Sequence, residues 1–288
     1  MAEPVRSFEI ALRSDDGHCH GLRACVPPEP TAALLWLPAL GVAARHYQPF
    51  AESLAARGVA VFVHEWRGHG SSSLRANRRH DWGYRELLEL DLPASEAGMR
   101  QALADTGAAD LPRIIGGHSL GGQLASCRLA MEPDFATRLW LVASGSPYWR
   151  AFPPPTRYWL PLAYRFLPWL ADRCGALPGH RIGFGGTEAR GLIRDWSRSA
   201  LSGRYAAAGL ELDLEAAMTH VDTDVRAVVL TQDWLAPESS LRFLLGKMPR
   251  ATSTIVHMDA ESLGTRTDHF SWMKHSRAVA DALLPELR

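Results

Sequence analysis

The stretch Leu111–Leu124, L-P-R-I-I-G-G-H-S-L-G-G-Q-L, narrows the possible folds of this chain more than any other, because it contains Gly117-His118-Ser119-Leu120-Gly121. A short β-type run, Arg113-Ile114-Ile115, leads into it. An amphipathic helical pattern, with Leu120, Leu124, Cys127, Leu129 and Met131 as apolar members, leads out. A serine at so tight a strand-to-helix turn has a strained backbone, and its flanking positions must be nearly free of side-chain bulk. Gly117 and Gly121 supply that room, and Gly122 lets the helix approach the sheet. Such a turn lifts Ser119 Oγ above the sheet edge, at the positive end of a helix where an oxyanion is stabilised. A Gly-rich turn that merely contains serine has the same five letters. The strand before and the helix after favour a nucleophile.

The 288 residues are 47% hydrophobic and 22% charged, with zero formal net charge. That is ample core material for one large domain or a domain with an insertion. The neutral balance speaks against nucleic-acid binding, which needs a basic surface. The opening residues Met1–Ser7 lack the basic-then-apolar pattern of an export signal, so the expected location is cytoplasmic. Cys19, Cys25, Cys127 and Cys174 are scattered without C-x-x-C spacing and are expected as reduced thiols. Cys19 and Cys25 lie six apart in one expected strand, too far for a disulfide.

Val5–Leu12 and His20–Val26 read as a hairpin around Ser14-Asp15-Asp16-Gly17. Ala33–Leu37 is a continuous apolar run, as expected of a strand buried on both faces. A helix is expected over His46–Arg57, a buried strand over Gly58–His64, and a long helix over Tyr84–Asp105. After the serine turn and its helix comes a strand over Thr137–Ser144. Strands alternating with helices imply a mostly parallel, doubly wound α/β sheet. The pattern breaks from Pro147 to about Val221, where no buried strand is legible and aromatics crowd the start. Its most apolar part, Tyr158–Leu170, carries Arg165, Pro161 and Pro168 and is too short and broken to span a bilayer. An inserted helical cap is expected there, with a membrane-surface helix as the alternative. The division is then a core over 1–146, a cap over 147–224, and a second core part over 225–288. That second part holds a strand at Arg226–Asp233, a helix at Ser239–Lys247, a strand at Thr252–Met258 and a terminal helix at Ser271–Leu287.

A serine hydroxyl needs a base to take its proton, and the base needs a carboxylate to orient it. In a doubly wound sheet these groups converge from loops at the carboxyl ends of strands. Three strands remain after the serine turn. The loop Gly145-Ser146-Pro147 offers no acid, the next strand runs into Asp233, and the loop after the last ends at His269. The chain order is therefore Ser119, Asp233, His269, with Glu238 and Glu261 as substitute acids. Asp222 and Asp224 precede their strand, at the wrong end of the sheet. His118 reads as a packing or supporting residue, because its backbone is held in the turn. The two oxyanion donors are expected to be the backbone N–H groups of Leu120, next to the serine, and of Leu40, in the loop after Ala33–Leu37.

At this point G-H-S-L-G-G at 117–122, W-R-G-H-G-S at 66–71, D-W-L-A-P at 233–237 and D-H-F at 268–270 together resemble the α/β-hydrolase fold family over nearly the whole chain. The resemblance implies a Ser-His-acid triad, a cap between core strands, a covalent acyl-enzyme, and no cofactor or metal. The family's frequent His-Gly after the third strand is replaced by Pro38-Ala39-Leu40-Gly41-Val42. The chain is similar to a branch of bacterial hydrolases of unsettled substrate with Ala-x-Gly-Val at that place. That branch has Arg-x-Gly-Phe-Gly in the cap, here Arg181–Gly185. The expected activity is hydrolysis of a carboxylic ester or thioester; acyl transfer by the same triad and a non-catalytic binding protein are the alternatives. Peptidase activity stays open as a further alternative, with no supporting feature. Trp149, Tyr158, Trp159 and Trp234 are expected to bind a small-molecule acyl substrate, apolar or aromatic. Oligomeric state is not legible.

Overall fold

Leu34 to Leu37 puts apolar side chains on both sides of one strand, which requires helices on both faces of its sheet. The structure, a computed structural model, describes residues 4–284 and builds that arrangement. β1 (Arg6–Arg13) and β2 (Cys19–Val26) form the expected antiparallel hairpin. β3 (Ala32–Leu37), β4 (Val59–His64), β5 (Arg113–His118) and β6 (Arg138–Val142) follow. The two-residue strands β7 (Leu177–Pro178) and β8 (Thr187–Glu188) pair only with each other. β9 (Asp224–Leu230) and β10 (Thr252–Met258) complete the main sheet. Its strand order is β1-β2-β4-β3-β5-β6-β9-β10, antiparallel at β1–β2 and β2–β4 and parallel beyond. This is the α/β-hydrolase fold with helices inserted after β6.

The side-chain alternation of the central strands separates two cores. Leu35, Leu37, Phe62, Ile115 and Leu141 face Leu88, Leu92, Met99 and Leu124. Leu34, Trp36, Val61, Ile114 and Val142 face Phe50, Leu54, Val279 and Leu283. The register aligns strand ends as well: Leu37 lies opposite Gly117, His118 opposite Val142, and Leu230 opposite Met258. Loops leaving β3, β5, β9 and β10 therefore emerge along one edge. Because β4 lies on the far side of β3 from β5, a crevice opens where the winding reverses.

Three expectations change. The helix Leu120–Met131 is not amphipathic, since every residue from Leu120 to Ala130 is buried. The sheet covers one side and the short helix Leu214–Met218 packs on another. Arg128 reaches Glu96 through a bidentate buried ion pair at 2.6 and 2.7 Å. The terminal helix is Ser276–Leu283, preceded by a separate turn at Ser271–Met273; the expected end at Leu287 lies outside the described residues. Pro161 and Pro168, read as interruptions, sit within one helix, Thr156–Cys174. Its buried members Leu160, Tyr164, Leu167 and Ala171 lie four, three and four residues apart, on one face, and pack against the helix Arg190–Ser202. The four cysteines are unpaired.

Candidate active site

Ser119 stands between β5 and the helix Leu120–Met131 with φ 55° and ψ −119°, a backbone conformation that side-chain-bearing residues rarely adopt. The close approach it needs is visible at Gly121, where a Cβ would lie 2.0 Å from the Leu37 carbonyl oxygen. The strain is held by β6. Ser119 N–H donates to the Val142 carbonyl at 3.2 Å, and Ser144 Oγ donates to the Ser119 carbonyl at 2.8 Å. Between them Ala143 also has positive φ, 45°. Ser144 belongs to the machinery of the turn, and its sequence carries no local sign of that.

Asp233 lies in the turn that follows β9, its N–H donating to the Leu230 carbonyl. Its Oδ1 accepts from the backbone N–H groups of Leu235 and Ala236 at 2.9 and 3.2 Å. That leaves Oδ2 aimed at His269 Nδ1, 2.7 Å away, with both side chains buried. A carboxylate oxygen only accepts, so Nδ1 carries the proton and Nε2 is left as an acceptor. Ser119 and His269 line the same cavity. Among the described residues Ser119 Oγ makes no hydrogen bond. The substitutes lie elsewhere: Glu238 pairs with His257 and Arg242, and Glu261 is exposed.

Ala39 to Val42 form a turn closed by Val42 N–H to the Ala39 carbonyl, with Gly41 at φ 77°. A glycine at the third turn position permits this, and a Cβ there would strike Gly185 and Gly186 of the inserted segment. Leu40 and Leu120 both reach the cavity wall beside Ser119. The neighbouring Ala39 N–H is taken by Tyr47 Oη at 2.8 Å, so the Tyr47 proton is free for His118 Nδ1, also 2.8 Å away. His118 is fully buried, its ring 4.7 Å from that of His269. Burial, then the nearby His269, holds its pKa well below the ordinary histidine value, so it stays neutral. It thus braces the turn at residues 39–42 and packs against His269, a link between residues far apart in sequence.

The cavity measures about 430 Å³, a size typical of small-molecule sites. Trp159 and Trp234 line it, as do Phe152, Leu160, Phe184 and Phe270. Trp149 and Tyr158 do not. Trp149 is half-buried beside Tyr148, and Tyr158 points to solvent at 65% exposure. Helix phase separates Tyr158 from Trp159, which no composition argument resolves. Several lining residues escaped the sequence reading, and one of them is polar. Gln123 is only 5% exposed, borders the cavity one helical turn past Ser119, and its Oε1 has no hydrogen-bond partner.

The inserted segment is tied to the core beside the turn at residues 39–42. His69, in the loop after β4, meets buried Glu188 at 3.2 Å, and Glu188 also accepts from Gly186 N–H at 2.6 Å. Burial disfavours protonation of His69, but the hydrogen bond and charge of Glu188, with Glu65 adding and Arg75 opposing, raise its pKa overall. A raised folded-state pKa gives stability that is complete below the unfolded value of about 6.5 and is lost as pH rises through the folded value. Glu188→Gln is therefore expected to lower stability more at pH 6 than at pH 9. Chemical denaturation at the two pH values checks this, and an equal loss at both would contradict it.

Among the described residues one group of metal-type side chains converges: His18, His20 and Asp91, all buried. It suits a cation poorly. Asp91 Oδ1 already accepts from Ser14, His18 and Arg67 at 2.7, 2.9 and 2.7 Å, and Oδ2 accepts from Arg67 Nε at 2.9 Å. The guanidinium supplies the positive charge a metal would bring, and burial pushes His20 down to about 4.

A family model described as serine aminopeptidase, S33, matches residues 28–200. Among solved structures the chain is similar to an esterase from Pyrococcus furiosus, at 14% identity and TM-score 0.57, covering 99% of this chain and 94% of that one. It is similar to the N-formylmaleamic acid deformylase of Pseudomonas putida S16, at 16% identity and TM-score 0.56, covering 96% and 99%. It is also similar to the thioesterase domain from the curacin biosynthetic pathway, at 17% identity and TM-score 0.55, covering 98% and 99%. At these identities the likeness is one of fold. No curated protein matches the sequence.

Proposed function

The chain belongs to the family described as serine aminopeptidase, S33, and from that premise we propose that it is a serine hydrolase of carboxylic esters or thioesters with Ser119, His269 and Asp233 as its triad. The observation that carries this reading is Asp233, whose one oxygen is fixed by two backbone donors while the other holds His269 Nδ1 at 2.7 Å. His269 Nε2 takes the Ser119 proton as Oγ attacks the acyl carbon, and Asp233 stabilises the imidazolium. The backbone N–H groups of Leu120 and Leu40 hold the oxyanion. His269 returns the proton to the leaving alcohol or thiol, then activates a water that releases the acyl group. Each oxyanion donor contributes about 2.7–4 kcal/mol.

Esters fit the cavity better than amino-terminal peptides. A carboxylate is the strongest partner for a substrate's α-ammonium, and no Asp or Glu lines the cavity among the described residues. The aromatic and aliphatic walls suit an apolar acyl group, with the Gln123 amide as an internal polar point. Gln123→Leu is expected to shift the ratio of kcat/KM for acyl groups bearing a hydroxyl or carbonyl against plain chains of equal length by roughly tenfold or more, toward the plain chain. An unchanged ratio removes Gln123 from recognition.

The test of the whole reading is labelling of the folded protein with a fluorophosphonate, followed by turnover of p-nitrophenyl esters of increasing chain length. Labelling at Ser119 with turnover of some chain lengths is the expected result. A folded protein that neither labels nor turns over any ester overturns it.

A further inference from the structure

We propose that the outer face of the helix Thr156–Cys174 docks onto an anionic lipid surface and sets the mouth of the cavity against it. A surface helix normally turns polar residues outward. Here Tyr158, Leu162, Phe166 and Trp169, spaced four, four and three apart, share the solvent face and are 65%, 69%, 49% and 56% exposed. Leu160, Tyr164, Leu167 and Ala171 fill the opposite, buried face. The helix is thus apolar on both sides, yet no helix among the described residues is long and apolar enough to cross a membrane.

The patch does not stop at the helix. Trp159 and Phe166 are exposed and also line the cavity, as are Ile182, Trp234 and Phe270 across the mouth. The Trp159 and Trp234 rings lie 5.9 Å apart, so the two banks of the opening meet through aromatic groups. A contiguous apolar area of this kind, rimming an opening, marks a docking surface.

Charge selects the occupant. Residues 147–189 contain five arginines (150, 157, 165, 173 and 181) and two acids, in a chain whose net charge is zero. Of the acids, Glu188 is buried and Asp172 is paired with Arg194. Arg165 and Arg173 are exposed on the same helix as the aromatics. A second copy of the chain would bring this face against itself by two-fold symmetry and set arginine against arginine. An anionic bilayer attracts the arginines and accepts the indole and phenol rings at its headgroup level. Docked there, the cavity opens toward the layer in which apolar acyl compounds are dissolved. The inference concerns a surface and stands whether or not Ser119 is the nucleophile.

The experiment is co-sedimentation with vesicles of phosphatidylcholine alone and of phosphatidylcholine mixed with phosphatidylglycerol, at low and high salt. The wild type is expected to sediment with the mixed vesicles and to be released by salt. Leu162→Asp combined with Trp169→Asp, neither of which lines the cavity, is expected to weaken that binding on the order of tenfold or more. Its turnover of a short, water-soluble ester and its melting temperature are expected to stay at wild-type values. Wild type that ignores both vesicles, or a double variant that binds undiminished, overturns the proposal. So does a wild-type dimer that the double variant converts to monomer without any vesicle binding, since the partner would then be a second copy.

Discussion

Ser119→Ala is expected to lower kcat for ester turnover by about 10⁶-fold, and Asp233→Asn by about 10⁴-fold, with the fold retained in both. Alanine keeps the Cβ that the strained position already accommodates, and the bonds that clamp the turn use only the Ser119 backbone. The defect is therefore chemical. Asparagine in place of Asp233 presents an amide to His269 Nδ1, and an amide N–H there would force the proton onto Nε2, the wrong tautomer for a base. The two losses are not additive, because a base without its nucleophile has nothing to deprotonate. A double variant is expected to be no slower than Ser119→Ala. Stopped assays with a p-nitrophenyl ester, read beside far-ultraviolet circular dichroism, measure this. Retention of one part in a hundred of the turnover by folded Ser119→Ala would assign the chemistry to another group.

The largest stability loss is expected at Arg67, which lies 4% exposed between Asp91 and Asp16. Asp91 is fully buried; burial raises its pKa, but the hydrogen bonds and charges of Arg67 and His18 outweigh that and hold it well below the usual carboxylate range. Arg67→Met strands a buried carboxylate and is expected to cost about 3–5 kcal/mol, or roughly 10 °C in melting temperature. The sign of the pH dependence identifies the cause. In the wild type the depressed Asp91 pKa gives stability that is present above the unfolded value of about 3.9 and is lost as pH falls through the folded value. Without the guanidinium only the Ser14 and His18 bonds oppose burial, so the Asp91 pKa rises from its wild-type position and acid relieves the variant by neutralising the carboxylate. The gap between wild type and variant is expected to narrow from pH 7 to pH 5 in urea denaturation. A gap that is constant or wider would place the loss in packing of the arginine stem.

Much of the architecture could be read along the chain, because each step depended on near neighbours. The apolar run Ala33–Leu37 had to be a doubly covered strand, and the glycines around Ser119 had to make a tight turn. That Asp233 and His269 lie in the connections leaving the last two strands follows from chain order, since a parallel sheet delivers every strand end to one edge. What the sequence left open depended on surfaces meeting. The helix after Ser119 carries an amphipathic letter pattern, yet Leu214–Met218 and the sheet bury it, so Arg128 needed Glu96 and Gln123 became a cavity residue. Tyr158 and Trp159 are adjacent letters of one type, and the phase of their packed helix sends one to solvent and the other to the cavity. Ser144, Tyr47 and His118 act through hydrogen bonds across 8 to 71 residues of chain. Sequence periodicity reports which side of an element is apolar; only the packed structure decides what that side touches.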